Sequence, residues 1–340
     1  MARICIYGAG SIGCYLGGRL AAGGAEVGFV GRPGVGEKFR AHGLTLTHYA
    51  GGSWRVAPEA IAFAADPDAA ANADLILVTV KSGGTAQAAA ELAAVVSPDA
   101  VVISFQNGLG NADTLRAALP GRTVLAGMVP FNVVRRGPGA FHQGSEGEPE
   151  VEDATVLAPF LVDFARAGFA LRRHRYMLPV QWAKLLFNLN NAVNALSGLP
   201  LQQELAQRDY RRCLAFAQAE ALDLLSQAGI TPARLTPLPA RLIPALLRLP
   251  DALFARLARK MLAIDPLARS SMADDLAAGR PTEVDWINGE IVHLAERLGR
   301  QAPVNERLVA LVHTAEASGG RQSWSGEALL AELRTSARRG

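Results

Sequence analysis

Cysteine is scarce: there are three in 340 residues, Cys5, Cys14 and Cys213. An odd number without ligand-like spacing excludes a disulfide scaffold and a cysteine-based metal site, and it fits reduced thiols in a reducing compartment. Aromatic residues are only 6% of the chain, so its cores must be built from aliphatic and small side chains at close approach. No uncharged apolar run reaches the roughly 18 residues of a membrane span. Met1-Ala2-Arg3 leads straight into an apolar stretch, without the pattern of a secretory leader. A cytoplasmic location without a membrane partner is therefore expected. Charge is nearly balanced, 34 basic against 31 acidic residues, which argues against a nucleic-acid partner. What remains is ample apolar material, half of the chain, enough for two domains.

The first half alternates strand and helix signals. Strands are expected at Arg3–Tyr7, Glu26–Val30, Leu44–Thr47, Ser53–Val56, Asp74–Val80, Val101–Phe105 and Val124–Pro130. Helices are expected from the first Gly-rich turn to Ala22, over Ala86–Val95 and over Asp113–Leu119. Continuous Val/Ile/Leu strands separated by helices indicate a mostly parallel sheet covered on both faces. The Gly- and Pro-rich segment Arg135–Pro149 fits a hairpin and a loop before a helix at Ala154–Ala167. Near residue 176 the pattern changes to helical periodicity alone, with helices expected over Val180–Leu196, Tyr210–Ala228, Ala240–Met261, Ser271–Ala278 and Thr282–Leu298. The expected division is 1–176, an α/β Rossmann-type dinucleotide domain, and 177–334, an all-α substrate domain. The tail from Thr335 is expected to fray.

Gly8-Ala9-Gly10-Ser11-Ile12-Gly13 follows the first strand and opens the first helix. Gly8 permits the tight turn, Gly10 lets backbone approach a pyrophosphate, and Gly13 allows close helix–strand packing. The helix N-terminus, with Ser11 and Ile12 in its first turn, offers free N–H groups and a favourable dipole. After the second strand an NAD enzyme usually carries an acid; this chain reads Gly31-Arg32. The glycine leaves space and the guanidinium suits a 2′-phosphate, so NADPH/NADP is the expected cofactor. Lys38 and Arg40 follow closely. Lys81 and Asn107 end two further strands, where binding crevices form but where turn residues are also common.

The segment 182–194 reads as a helix with Asn188, Asn190, Asn191 and Asn194. A buried amide without partners costs about 1–3 kcal/mol, so stability alone would not choose four. Lys184, Asn188 and Asn191 fall within about 60° of arc on such a helix. That stripe serves either a polar anion or an inter-helix hydrogen-bond network. Ser270 or Ser271 serves either as a helix cap or as a site residue. Glu283 serves either a helix N-terminus after Pro281 or a site. There is no His–Cys cluster, and no metal is expected.

Taken together, the Gly8–Gly13 turn, Arg32, Lys81, Gln106-Asn107-Gly108, Trp182-Ala183-Lys184 with Asn188, Ser270-Ser271-Met272, Thr282-Glu283 and Ile287-Asn288-Gly289 resemble the ketopantoate reductase (2-dehydropantoate 2-reductase) family over nearly the whole length. The resemblance implies a Rossmann domain joined to an all-helical domain, the two-domain architecture of 6-phosphogluconate dehydrogenases, with NADPH and a small 2-keto acid in the cleft between. It implies reduction of 2-dehydropantoate to (R)-pantoate, a step towards pantothenate and coenzyme A. It makes Lys184 the catalytic acid, with Glu283, Asn188, Ser271 and Asn107 serving the substrate. The chemistry agrees, because hydride attack on a ketone builds negative charge on oxygen, which an ammonium stabilises and protonates.

Two positions depart from the family pattern: Ala192 and Ala268 stand where asparagines are usual. Asn191 lies on the same helix face and is a substitute for the first. These departures bear on which keto acid is reduced. Reduction of another 2-keto acid or an imine is the alternative within this fold. A non-catalytic NADP sensor would have no use for Lys184, Glu283 and the Asn stripe. The Arg-rich segment 235–264, with Arg241, Arg248, Arg256, Arg259 and Lys260, is interrupted by four prolines. It suits a lid or subunit contact, as in a homodimer, better than a membrane surface.

Overall fold

The computed structural model describes residues 3–259, 266–319 and 323–338. The chain divides into two compact units, Met1–Met177 and Leu178–Gly340.

The first unit opens with β1 (Arg3–Tyr7), α1 (Ser11–Ala22), β2 (Glu26–Val30), α2 (Pro33–His42), β3 (Leu44–His48), β4 (Ser53–Val56) and β5 (Ala62–Ala64). It continues through β6 (Leu75–Val78), α3 (Thr85–Val95), β7 (Val101–Ser104), α4 (Asn111–Ala118) and β8 (Thr123–Met128). The pair β9 (Val133–Gly137) and β10 (Ala140–Gln143), then β11 (Glu150–Glu152), α5 (Leu161–Arg166) and β12 (Arg172–His174), complete it. The main sheet runs β12-β11-β8-β7-β6-β1-β2-β5, and the six strands from β8 to β5 pair in parallel. Chain order reverses at β1, whose neighbours are β2 and β6. That reversal opens a crevice at the strands' carboxyl ends.

Period-two alternation explains why these strands are apolar throughout. Ile4, Ile6, Leu75 and Leu77 enter one core with Leu16 and Leu20 of α1, while Cys5, Tyr7, Ile76 and Val78 enter another with Ala88 and Leu92 of α3. The strands expected at Leu44–Thr47 and Ser53–Val56 are present but belong to a separate four-stranded sheet, β4-β3-β10-β9. The helix expected over Ala154–Ala167 is instead a 3-10 stretch, Thr155–Phe160 with Pro159 inside it, followed by α5. Proline removes a backbone donor and crowds the preceding turn, so a continuous α-helix is disfavoured there.

The described residues of the second unit form α6 (Leu178–Asn188), α7 (Asn190–Ser197), α8 (Leu201–Ala206), α9 (Arg208–Gln227), α10 (Ile243–Leu247), α11 (Asp251–Leu257), α12 (Ser271–Ala277), α13 (Asn288–Arg297), α14 (Pro303–Ala317) and α15 (Gly326–Ala337). Three expected helices are corrected. Val180–Leu196 is divided at Leu189, whose own backbone stays helical. Ala240–Met261 is cut into a 3-10 turn, α10 and α11 by Pro244 and Pro250, each of which opens a new element; Lys260 and Met261 lie outside the described residues. Thr282–Leu298 begins only at Asn288, so Glu283 sits in the turn before α13 rather than on a helix.

The Arg-rich segment is held by an arginine outside it. Arg211 of α9 is fully buried. It donates to the carbonyls of Leu247 and Leu249 and pairs with Asp251 at 2.8 Å. Arg241, Arg248, Arg256 and Arg259 are exposed. Among the described residues no helix is long and apolar enough to cross a membrane.

Candidate active site

The dinucleotide turn is built where β1 ends. Gly8 has φ +113°, a conformation costly for other residues. The amides of Gly8 and Ala9 both donate to the Val30 carbonyl of β2, at 3.0 and 3.1 Å. Thr79, just past β6, donates its hydroxyl to the Gly8 carbonyl at 2.6 Å. The turn is thus fixed to both neighbours of β1. A Cβ at Gly13 would lie 2.3 Å from the Gly8 carbonyl oxygen and 2.4 Å from the Thr79 hydroxyl, so helix and strand touch there. A Cβ at Gly10 would meet nothing within 4 Å. Gly10 therefore faces open space beside the first turn of α1, which no side chain caps. This uncapped first turn of Ser11, Ile12 and Gly13 fits a diphosphate.

Gly13→Ala is expected to destabilise the first unit by about 1–3 kcal/mol, the usual cost of overpacking, read as a lower denaturation midpoint. An unchanged midpoint would contradict the contact.

Gly31 is also held small by its packing. A Cβ there would stand 2.8 Å from the Cβ of Ala9, so the residue is constrained by packing on the glycine turn. Arg32 follows at the N-cap of α2 and is exposed, as are Lys38 and Arg40. Lys81 is exposed after β6. Asn107 is half-buried after β7. Gly8, Arg32, Lys81 and Asn107 thus follow β1, β2, β6 and β7, four neighbouring strands, at their carboxyl ends.

A buried network that sequence reasoning missed fixes the last two loops. Ser82 and Asn111 both donate to the Asn107 carbonyl, at 2.8 and 2.7 Å. Gln106 donates to the Val80 carbonyl and to Thr85, whose hydroxyl donates to Asn111. The only signal was their position after strand ends, which does not tell a turn amide from a ligand amide.

In the second unit the four asparagines divide by face. Asn190 and Asn194 both donate to Glu204 of α8, at 3.0 and 3.2 Å. Glu204 is fully buried, and burial pushes its carboxyl up to about 8 against the pull of the two amides. The Asn194 side-chain oxygen Oδ1 accepts the Ser270 amide at 2.9 Å. Ser270 caps α12 by accepting from the Ala273 amide at 3.1 Å, and its hydroxyl donates to the Asn191 carbonyl at 3.3 Å. Ser270 is thus the structural serine. It brings Asn191, half-buried on α7, together with Ser271, exposed at the start of α12.

Lys184 and Asn188 lie one turn apart on α6. Lys184 keeps some solvent contact, yet the surrounding protein desolvates it and lowers its pKa from 10.5 to about 8. Asn188 is buried. Glu283 is buried in a turn held from α14. Glu316 accepts the Thr282 amide at 2.7 Å, and His313 bridges Glu316 and Asp285 at 2.9 Å each. Asn288 donates to Asn305, which donates to Glu220, tying the start of α13 to α9 and α14. Neither clamp was foreseen, because each depends on partners in distant helices. Among the described residues no cluster of His, Cys, Asp and Glu is placed to hold a metal.

The His313 clamp gives a pH prediction. Bonding to Glu316 raises the His313 pKa above 6.5, with Asp285 adding and desolvation opposing. Its contribution is therefore complete below pH 6.5 and lost as pH rises through the folded value. Protection factors of the Thr282–Trp286 amides should fall across that window in the native chain. In His313→Gln they should be lower at acid pH and flat; a native-like pH dependence there would contradict the clamp.

Residues 4–155 match the family model described as ketopantoate reductase PanE/ApbA, and residues 177–316 match its C-terminal model. A 2-dehydropantoate 2-reductase of Halobacterium salinarum is 30% identical over 325 residues, covering 93% of this chain and all of the relative. The solved structure of a PanE/ApbA family ketopantoate reductase from Ralstonia eutropha is 31% identical with a TM-score of 0.79, covering 93% of this chain and 99% of that one. A D-mandelate dehydrogenase solved with NADH and anilino(oxo)acetate has a TM-score of 0.75 at 20% identity, with 93% and 99% covered, a likeness of fold.

An α/β unit and a helical unit, with the family models and the 30%-identical relative that match them, make this a two-domain oxidoreductase acting on a keto or hydroxyl group. The chain belongs to the ketopantoate reductase family.

Proposed function

We propose that the chain reduces 2-dehydropantoate to (R)-pantoate with NADPH. The observation that carries this reading is Lys184, a lysine whose pKa is lowered to about 8 by burial, beside Asn188 on α6. A proton donor works best when its pKa lies near the working pH. When bound, the dinucleotide supplies the hydride that adds to the ketone carbon. As the C=O π bond opens, Lys184 stabilises the charge growing on oxygen and delivers the proton from its Nζ, leaving a neutral amine and a hydroxy acid. Glu283 is proposed to pair with Lys184, or to accept from the substrate hydroxyl. Asn188, Asn191, Ser271 and Asn107 are proposed as neutral donors for the substrate carboxylate and hydroxyl. The first-turn amides of α1 take the diphosphate, Arg32 takes the 2′-phosphate, and Lys81 and Asn107 also serve the cofactor.

Reduction of a different 2-keto acid is favoured by one observation. Ala192 and Ala268 are both buried, so two amides usual in the family are replaced by apolar surface. NADPH oxidation measured against a panel of 2-keto acids decides between them. The proposal expects the highest kcat/KM with 2-dehydropantoate; a better substrate elsewhere in the panel would transfer the mechanism to that acid.

A further inference from the structure

Arg19 lies on α1 nine residues past Gly10, about 13 Å along the helix from the glycine turn at 1.5 Å per residue. It is 5% exposed. Its guanidinium stacks on Trp54 of β4, 3.5 Å from the ring centre, with Phe169 at 5.0 Å. One terminal nitrogen donates to the Tyr15 hydroxyl at 3.0 Å, the other to the Ala167 carbonyl. Among the described residues the Nε has no hydrogen-bond partner. No carboxylate among the described residues stands within ion-pair distance. A buried cation is costly unless compensated, and stacking on aromatic rings offsets only part of that cost.

Arg19 lines a cavity of about 190 Å³ together with His48, Trp54, Gln143, Glu148 and Phe169. One water needs about 10–15 Å³ on this measure, so the space suits a small organic molecule. The groups around it are complementary. The His48 Nδ1 accepts the Ala50 amide at 3.1 Å, so the neutral ring carries its proton on Nε2. Burial and then the Arg19 charge both lower the His48 pKa, which favours that neutral form. Glu148 uses one oxygen to accept the Ala170 amide at 2.9 Å and keeps acceptor capacity on the other. Gly168 is part of the design: its φ is +76° and a Cβ would come within 2.6 Å of the Arg19 Nη2.

We propose that this cavity is a second ligand site, separate from the dinucleotide turn, for a small carboxylate that also carries a hydroxyl or ammonium donor. The ligand carboxylate compensates Arg19 and accepts from the His48 Nε2–H, and its donor group faces Glu148. Hydroxy acids and amino acids share this chemistry.

The test titrates the full chain with glycerate, glycine and acetate and follows the Trp54 indole N–H by NMR. Glycerate or glycine should give a saturable shift, and whichever binds better identifies the donor. Acetate, which lacks the donor, should bind more weakly. Glu148→Gln should remove that preference. Arg19→Gln should weaken all binding about 10- to 100-fold, the loss expected for a charge-assisted contact. If Arg19→Gln does not fold, His48→Ala at the half-buried rim takes its place, with weaker binding expected. Absence of a saturable shift with any of the three, equal binding of acetate, or undiminished affinity in the folded Arg19 or His48 variant overturns the site. Because the readout is binding, failure here leaves the proposed reaction untouched, and failure of that reaction leaves this site untouched.

Discussion

Lys184→Ala should lower kcat by about 10²–10⁴, the usual contribution of a positioned proton donor, while NADPH affinity stays nearly unchanged. The variant removes the ammonium proposed to carry both the charge stabilisation and the proton. In the native chain kcat should fall as pH rises through about 8, where the Lys184 ammonium is lost; that limb should vanish from the residual activity of the variant. Glu283→Ala should impair both turnover and substrate affinity, since it removes a buried carboxylate from the turn before α13. Combined, the two losses should be less than additive if the residues act as one unit. A pair serving stability alone would instead lower the melting temperature and leave turnover of the folded fraction intact.

Arg32→Ala should weaken NADPH binding by about 10- to 100-fold, the scale of a charge-assisted pair with phosphate, and change NADH binding little. Arg32 follows β2 at the N-cap of α2, so its guanidinium and the positive end of the helix dipole act at one place. Its exposure means that salt should weaken the NADPH preference. Equal affinity of the native chain for the two cofactors would contradict the assignment.

The parts of the fold that were legible in the sequence are those governed by local period. Val101–Ser104 is buried throughout and Arg3–Tyr7 from Ile4 onward, so their apolar runs identified them, as Val27, Phe29 and Val30 did Glu26–Val30. Pairing was less legible. β3 read as a strand, but its partner β10 lies about a hundred residues later, and periodicity carries no information on distant partners. β5, β11 and β12 are three residues each, too short for a periodic signal.

The site shows the same limit. The wheel grouped Lys184, Asn188 and Asn191, but that Asn190 and Asn194 serve the scaffold could not be read until Glu204 was known to be their partner. Glu204 sits on a six-residue helix with too little period to register. Glu283 was expected in the first turn of a helix starting after Pro281. Glu316, from α14, binds the Thr282 amide and holds a turn there instead.

The most direct test of the proposed reaction is transfer of deuterium from NADPH labelled at both C4 positions to 2-dehydropantoate, with the product analysed by mass spectrometry and NMR. The account predicts one deuterium at C2 of pantoate, formed at a rate that collapses in Lys184→Ala. Pantoate without deuterium at C2, or no pantoate from folded, NADPH-saturated native chain, would contradict it.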